Sequence, residues 1–469
     1  MSEGEKKLKE FLETNSIKTV RLQWVDYSGV LRARFIPAAR ALRVASGSET
    51  VRLGQSSMLV PISTAPKFFS LSDYHETWTL TPDWSSIRRC GFKPDHAAIM
   101  CYVTQEDADK EFDKKLDKCP RMLLTRALDQ LKAKWHAKVW IGFEIEFVLL
   151  DSSNKVIEPV DRLTGHSSAA GLRAGMLDLI EEIVDALEKS SIEIHHYHAK
   201  LNDQMVIALA PERALKAVDS LVLAQETIRT ICVRRNLKAT MTPKPTLAGP
   251  SNGLHLHLSF YDPKDLGPGS FLGGCPTPEL YLAGIANRLG GLEPDRVSPD
   301  TFIAAILSHM GSLCAFGMAN YDGYVRSASG AAGAWIGFGT DNRDLPVRKI
   351  GECLWEFRMM DGTANPYLFV AAVIFAALDG LGSKTKLVWK DCKFFPDSMN
   401  EERRVEYGLT KSMPITFKEA LDYLRSDHAM TTRIGQNLVE WFLSVKDKEV
   451  EEFGKMTDEQ RRLRFLEYF

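Results

Sequence analysis

Hydrophobic and polar positions alternate along the chain with two distinct periods. Val20, Leu22 and Trp24 alternate with polar residues up to Asp26-Tyr27-Ser28-Gly29, a turn signal, and Val30-Leu31-Arg32-Ala33-Arg34-Phe35 follows. This pattern predicts a β-hairpin. Further short strands, broken by Gly, Pro and Ser, continue to about Val103 and predict a small sheet. Ahead of them, residues 1 to about 15 read as a charged amphipathic helix. The run Glu106 to Lys118 is densely charged without apolar periodicity and reads as a linker. Cys119-Pro120-Arg121 then opens a helix with Leu123, Leu124, Ala127, Leu128 and Leu131 on one face. A helical stripe recurs at Leu172, Met176, Ile180, Ile183 and Leu187, and again near 213–235 and 300–318. The longest apolar run, Tyr367 to Leu378, is too short to span a bilayer and predicts a buried helix. Thr416-Phe417-Lys418-Glu419 has the form of a capping box, and the chain ends in helical, charge-alternating sequence.

Three apolar-backed stretches with period two carry the polar chemistry. In Ile141-Gly142-Phe143-Glu144-Ile145-Glu146-Phe147, residues i and i+2 of a strand share a face, so Glu144 and Glu146 project together. Two like charges on a half-buried strand repel and are costly to desolvate. A positive group is therefore expected beside them, and a divalent metal is the obvious candidate. Gly253-Leu254-His255-Leu256-His257-Leu258-Ser259 places His255, His257 and Ser259 on one face, and Trp355-Glu356-Phe357-Arg358-Met359 does the same for Glu356 and Arg358. One such pair alone is more often a solvated strand face, by roughly two to one. Three pairs of different chemical character point to a single polar cleft.

Composition narrows the class. At 469 residues, with 45% hydrophobic and 26% charged residues, the chain is that of a soluble globular protein of two or three domains. A net charge of −2 offers no field for nucleic acid or an anionic membrane. The eight cysteines are scattered without a CxxC, which reads as reduced thiols. The Lys- and Glu-rich start carries no apolar h-region, so a cytoplasmic location is expected. Neither GxxxxGK[ST] nor GxGxxG after a strand is present, so a P-loop or Rossmann site is not predicted.

In their order and surroundings, the three strand pairs resemble glutamine synthetase. Pro120-Arg121 is similar to that family's lead-in to the catalytic domain, and Thr242-Pro243-Lys244-Pro245 to the segment preceding its GSGMHxHxS motif, here Ser251 to Ser259. Gly339 to Arg348, reading GTDNRDLPVR, resembles the arginine-bearing loop. Glu356-Phe357-Arg358 followed by Asp361-Gly362-Thr363-Ala364-Asn365-Pro366-Tyr367 resembles the ExR…ANPY signature. The wording is most similar to the type I, FluG-like fungal branch. The resemblance implies an α+β fold: an N-terminal β-grasp domain and a catalytic domain with a curved antiparallel sheet and surrounding helices. The expected division is a helical segment over 1–15, the β-grasp domain over 16–112 and the catalytic domain over 113–469.

The same resemblance implies a site with ATP and two divalent ions, Mg²⁺ or Mn²⁺. Glu144, His255 and Glu356 would hold the nucleotide-side ion, and Glu146 would belong to the second. His257 and Ser259 would lie near the nucleotide, Arg343 and Arg348 near its phosphates, and Arg358 near the substrate carboxylate; planar guanidinium forks suit such contacts. Arg326 takes the place of a further catalytic arginine, unless the alignment puts Gly323 there. The implied chemistry is ATP-dependent activation of a γ-carboxylate as an acyl phosphate, followed by attack of ammonia or an amine. The partners implied are an amino acid, an amine or ammonia, and further copies of the chain in a double ring of about ten or twelve subunits.

Departures from the family pattern fall on the second-ion and substrate side. A stretch reading H-x-E-x(4 or 5)-GQ-x-E corresponds here to His195 through Ile207; Gln204 fits, Val206 replaces one glutamate, and His198, Ala199 or Lys200 replaces the other. Lys200 is then a possible partner for Glu146, while His195, His196 and His198 read as a surface strand end. Pro250 stands where an asparagine is expected, Ser327 to Gly333 replaces the glutamate-bearing flap, and Gly54-Gln55-Ser56-Ser57 lacks an ammonium-facing aspartate. Two functions remain open from sequence: a ligase with an altered acceptor, or a catalytically weakened relative with a structural or regulatory role.

Overall fold

The predicted hairpin forms β1 (Thr19–Val25) and β2 (Leu31–Pro37), paired antiparallel from Thr19 opposite Pro37 to Val25 opposite Leu31. The structure is a computed structural model, and it describes residues 3–63, 77–105, 118–157, 166–173, 175–200, 204–260, 298–351 and 354–469. The linker at 106–117 and the boundary at 113 lie outside the described residues. With β3 (Val51–Gly54), β4 (Thr77–Pro82), β5 (Arg88–Arg89) and β6 (His96–Gln105), the hairpin builds a six-stranded sheet in the order β2-β1-β6-β4-β3, β5 pairing with β6. The central β1/β6 pair is parallel. An N-terminal helix, Glu3–Thr14, buries Leu8 and Leu12 beside this sheet.

The hairpin turn seats on the rest of the chain through one glycine. Gly29 has φ +88°, and a Cβ there would fall 2.1 Å from the Thr363 carbonyl oxygen. Asn365 donates from Nδ2 to the Asp26 carbonyl at 2.9 Å, so the turn and the Asp361–Asn365 loop are stitched together.

The second sheet has nine strands: β7 (Trp140–Leu150), β8 (Ile194–Ala199), β9 (Gln204–Leu209), β10 (Glu212–Arg213), β11 (Lys238–Thr240), β12 (Leu254–Ser259), β13 (Phe338–Thr340), β14 (Val347–Gly351) and β15 (Leu354–Phe357). Its order is β13-β14-β15-β12-β7-β9-β8, with β10 and β11 on β7. All pairs are antiparallel except β13/β14 at one edge. Phe143, Ile145 and Phe147 are fully buried behind β7, where the helix Ala214–Arg234 packs. Period two thus decides that one face of the sheet is core and leaves the other for polar groups.

Among the helices, Pro120–Trp135 runs as predicted, with Pro at its first position and Leu123, Leu124, Ala127 and Leu131 buried. The stripe from Leu172 is interrupted: Leu172 closes a short 3-10 turn, and the helix Met176–Lys189 starts after Gly175 at φ +80°. The segment near 300–318 is two helices, Pro299–Ser308 and Met310–Gly317, bent by 73°. His309 sits at the bend, with Nδ1 2.8 Å from Asp427 Oδ2, an anchor from a distant helix that local periodicity does not reveal. The apolar run near 370 extends into an 18-residue helix, Pro366–Ser383. It is long and apolar enough to cross a bilayer, so the length argument fails; but 83% of it is buried in the fold, packed on Pro120–Trp135 and Pro299–Ser308. At Thr416 only half a capping box forms: its side chain accepts from Glu419 N at 3.1 Å, while the Glu419 carboxylate accepts from Ile415 N at 2.9 Å.

Candidate active site

The polar face of the nine-stranded sheet carries the three predicted pairs, and inter-strand register decides who meets whom. Glu144 on β7 lies directly opposite His255 on β12. His257 lies opposite Glu356 on β15, and Glu356 opposite Arg348 on β14. His255 Nδ1 is 3.3 Å from Glu144 Oε2 and 3.1 Å from Glu356 Oε1, and its Nε2 is 3.4 Å from Glu146 Oε1. His255 is thus the hub of three carboxylates. Arg348 Nη1 reaches Glu356 Oε2 at 2.8 Å and its Nη2 reaches Asp341 at 3.0 Å, while Arg358 pairs with Glu356 Oε1 and donates from Nη2 to the Ala331 carbonyl at 3.0 Å.

The electrostatics favour ionised carboxylates. Burial alone would push Glu144 up, but His257 and His255 outweigh it and hold the carboxyl well below the usual range. Glu356 is likewise held well below, burial being outweighed by Arg358 and His255. Glu146 is brought down to about 2, against its burial, by His255, Lys200 and Arg326. His257 moves the other way: burial opposes its charge, yet Glu144 raises its pKa.

The remaining expected residues are placed differently from one another. Arg326 is buried, donating from Nη2 to the Arg358 carbonyl at 2.9 Å. A Cβ on Gly253 would meet the Arg326 guanidinium at 2.7 Å, so this glycine lets the arginine pass beneath the strand. Ser259 is fully buried at the far end of β12, opposite Trp140 and Leu354. Arg343 is exposed on the loop before β14, away from the carboxylate cluster's hydrogen bonds. The flap Ser327–Gly333 is fastened by Asp344, whose Oδ1 accepts from Ser329 Oγ at 2.8 Å and Gly330 N at 2.6 Å.

Residues that sequence reading gave no role hold the site in place. Gln204 donates from Nε2 to Asn252 Oδ1 at 2.8 Å and to the Ser251 carbonyl at 3.0 Å, and Asn252 Nδ2 donates to the Thr240 and Thr242 carbonyls. This buried strut sets where β12 begins. Its visible signals were Gln204, which fits the family pattern, and the SNG run preceding the alternating histidines.

As the side chains stand, no three His, Cys, Asp or Glu groups among the described residues are arranged to hold an ion, and the Glu356 carboxylate is paired with Arg348 and Arg358. The chemistry of the first set nevertheless fits. Glu144, His255 and Glu356 offer hard oxygen and imidazole donors, already within 3.3 Å through His255 Nδ1, and terminal carboxylate torsions are soft. His257 Nε2 is buried with no hydrogen-bond partner, lying 3.1 Å from Glu144 Oε1 but off a hydrogen-bond line. Among the described residues the second set does not fit: the cross-strand neighbours of Glu146 are Val206 and, by the same register, Gly253, neither of which offers a side-chain donor.

A largely antiparallel sheet here presents carboxylates and imidazoles bordered by arginines. The chain belongs to the glutamine synthetase family: the profile of the glutamine synthetase catalytic domain matches residues 117–286 and 298–465. Protein fluG of Emericella nidulans is 28% identical over 484 residues, covering 98% of this chain and 50% of that protein. The chain thus spans half the length of that relative. A glutamine synthetase of Methanocaldococcus jannaschii is 26% identical, covering 98% of this chain and 97% of its own. Among solved structures, a GmaS–ADP complex superposes with a TM-score of 0.76 at 22% identity, covering 97% of this chain and 98% of that one.

Proposed function

We propose that the chain is an ATP-dependent ligase that activates the γ-carboxylate of glutamate or an analogue and joins it to ammonia or an amine. The observation that carries this reading is the clustering of Glu144, His255 and Glu356 about one imidazole, with Arg348 and Arg358 on its border. A γ-carboxylate oxygen attacks the γ-phosphorus of ATP and ADP departs, giving an acyl phosphate. The amine nitrogen then attacks the acyl carbon; an amide and inorganic phosphate form, and the amine gives up a proton. A bound Mg²⁺ or Mn²⁺ would neutralise the transferred phosphoryl charge. On this reading Glu144, His255 and Glu356 hold the ion, and His257 and Ser259 line the nucleotide side. Arg343 and Arg348 meet phosphate oxygens, Arg358 orients the acid substrate, and Arg326 positions the strand that bears His255. Positioning and charge neutralisation supply most of the catalysis in such a transfer.

The test is titration of ATP with Mg²⁺ or Mn²⁺, followed by phosphate release with glutamate and a panel of amines. Amine-dependent release supports the ligase and names its acceptor. The second reading, a weakened relative with a regulatory role, rests on Val206 facing Glu146 and on the small-residue flap; nucleotide binding without release would favour it. No binding would overturn both. We place the chain in a ring-shaped homo-oligomer of about ten or twelve subunits; a strictly monomeric species in sedimentation would refute that.

A further inference from the structure

Glu146 is paired with a lysine, Lys200, whereas Glu356 is paired with the arginines Arg348 and Arg358. Glu146 is 1% exposed, and removing a carboxylate from water without a counter-charge costs several kcal/mol. Both of its oxygens are already taken. Oε2 accepts from the Gly253 backbone N–H at 2.7 Å, and Oε1 pairs with Lys200 Nζ, with His255 Nε2 at 3.4 Å. Lys200 follows β8 directly, and its backbone N–H donates to the Gln204 carbonyl at 2.7 Å, tying it to the start of β9. The lysine side chain is 19% exposed and the glutamate 1%, so the pair is largely withdrawn from water.

A divalent ion on Glu146 would need about six oxygen donors. The ladder supplies one carboxylate, flanked by Val206, with His198 beyond it across β9. An ammonium occupies the position instead, with a buried guanidinium, Arg326, behind Gly253. We propose that Lys200 is a built-in cation standing where a second divalent ion would otherwise serve Glu146, so that each site takes one ion only and its acid-substrate side is organised by a permanent side-chain charge. The place of the single ion rests on the ligase reading above; the role of Lys200 rests on the Glu146 pair alone. One consequence is that an anionic group arriving on this side meets a fixed charge whose presence does not depend on metal concentration.

The experiment counts Mn²⁺ ions per full-length chain by electron paramagnetic resonance. The wild type is expected to bind one, Glu356→Ala to lose it, and Glu146→Gln to keep it within about tenfold in affinity. The double variant Lys200→Glu/Val206→Glu, which rebuilds carboxylates around Glu146, is expected to bind two. Two ions in the wild type, loss of the single ion in Glu146→Gln, or only one ion in the double variant would overturn the proposal. No ion in the wild type would overturn the metal shell of the ligase reading. The lysine is tested independently of that result by melting in chelator. Lys200→Met should lower Tm by several degrees and Lys200→Met/Glu146→Gln should restore it; melting of Lys200→Met at the wild-type temperature would overturn the assignment.

Discussion

Replacing Arg121 by methionine tests how the N-terminal sheet is fastened to the body that bears the site. Arg121 is 3% exposed. Its Nη2 reaches Asp83 Oδ2 and Asp219 Oδ2 at 2.8 Å each, its Nε reaches Asp219 Oδ1 at 3.1 Å, and its guanidinium lies 4.6 Å from the centre of the Tyr102 ring. Asp83 and Tyr102 belong to the first sheet and its connections. Asp219 lies on the helix behind β7, and Tyr367, which donates to Asp219 Oδ1 at 2.6 Å, opens the central apolar helix. One guanidinium therefore ties the two sheets together through a buried network. Methionine fills much of the stem volume but strands Asp219, leaving Tyr367 as its side-chain hydrogen-bond donor among the described residues. Breaking a buried pair from one side costs about 3–5 kcal/mol. The unfolding entropy of a chain this long is about 1 kcal/mol/K, so a fold melting as one unit should lose about 3–5 °C in Tm. Differential scanning calorimetry of Arg121→Met and of Arg121→Met/Asp219→Asn reads this directly. The double variant should recover most of the loss, because the stranded charge is gone. A single variant melting within about 1 °C of wild type would refute the reasoning. So would a double variant no better than the single, since the cost would then lie in packing and not in the unpaired aspartate.

Three further outcomes are expected. Glu356→Gln should weaken binding of ATP with Mg²⁺ by at least about 100-fold while Glu146→Gln costs less than about tenfold; equal losses in calorimetric titration would contradict the assignment. Gly29→Ala should destabilise by about 2–5 kcal/mol, because it combines left-handed backbone strain with a contact 2.1 Å from Thr363 O, whereas Gly47→Ala, at φ +76° with open space around it, should cost about 1 kcal/mol by chemical denaturation. His309 is half-buried, which opposes its charge, but Asp427 and Asp379 raise its pKa. A raised folded value means its stabilisation is present at low pH and fades as pH rises through that value, so His309→Gln should flatten the dependence of Tm on pH above the ordinary histidine value; an unchanged slope would count against the bend being held by this pair.

The chemistry of this protein was legible in its sequence where it depended on period two. Glu144 with Glu146, His255 with His257, and Glu356 with Arg358 share faces because alternate side chains of a strand must, and the apolar residues between them mark the opposite face as core. The hairpin at Asp26–Gly29 was legible for the same local reason. What alternation could not say is which of these residues stand side by side. That Glu144 faces His255, that Arg348 lies across from Glu356, and that Glu146 has Val206 and Gly253 as its cross-strand neighbours follow from register between strands, set by hydrogen-bond ladders and by struts such as Gln204–Asn252. The bend at His309 and the passage of Arg326 beneath Gly253 are likewise decided by distant partners. Local periodicity, being a property of neighbouring dihedrals, is written in the sequence; the pairing of Lys200 with Glu146 exists only once the sheet has closed, because burial is what forces the carboxylate to find a cation.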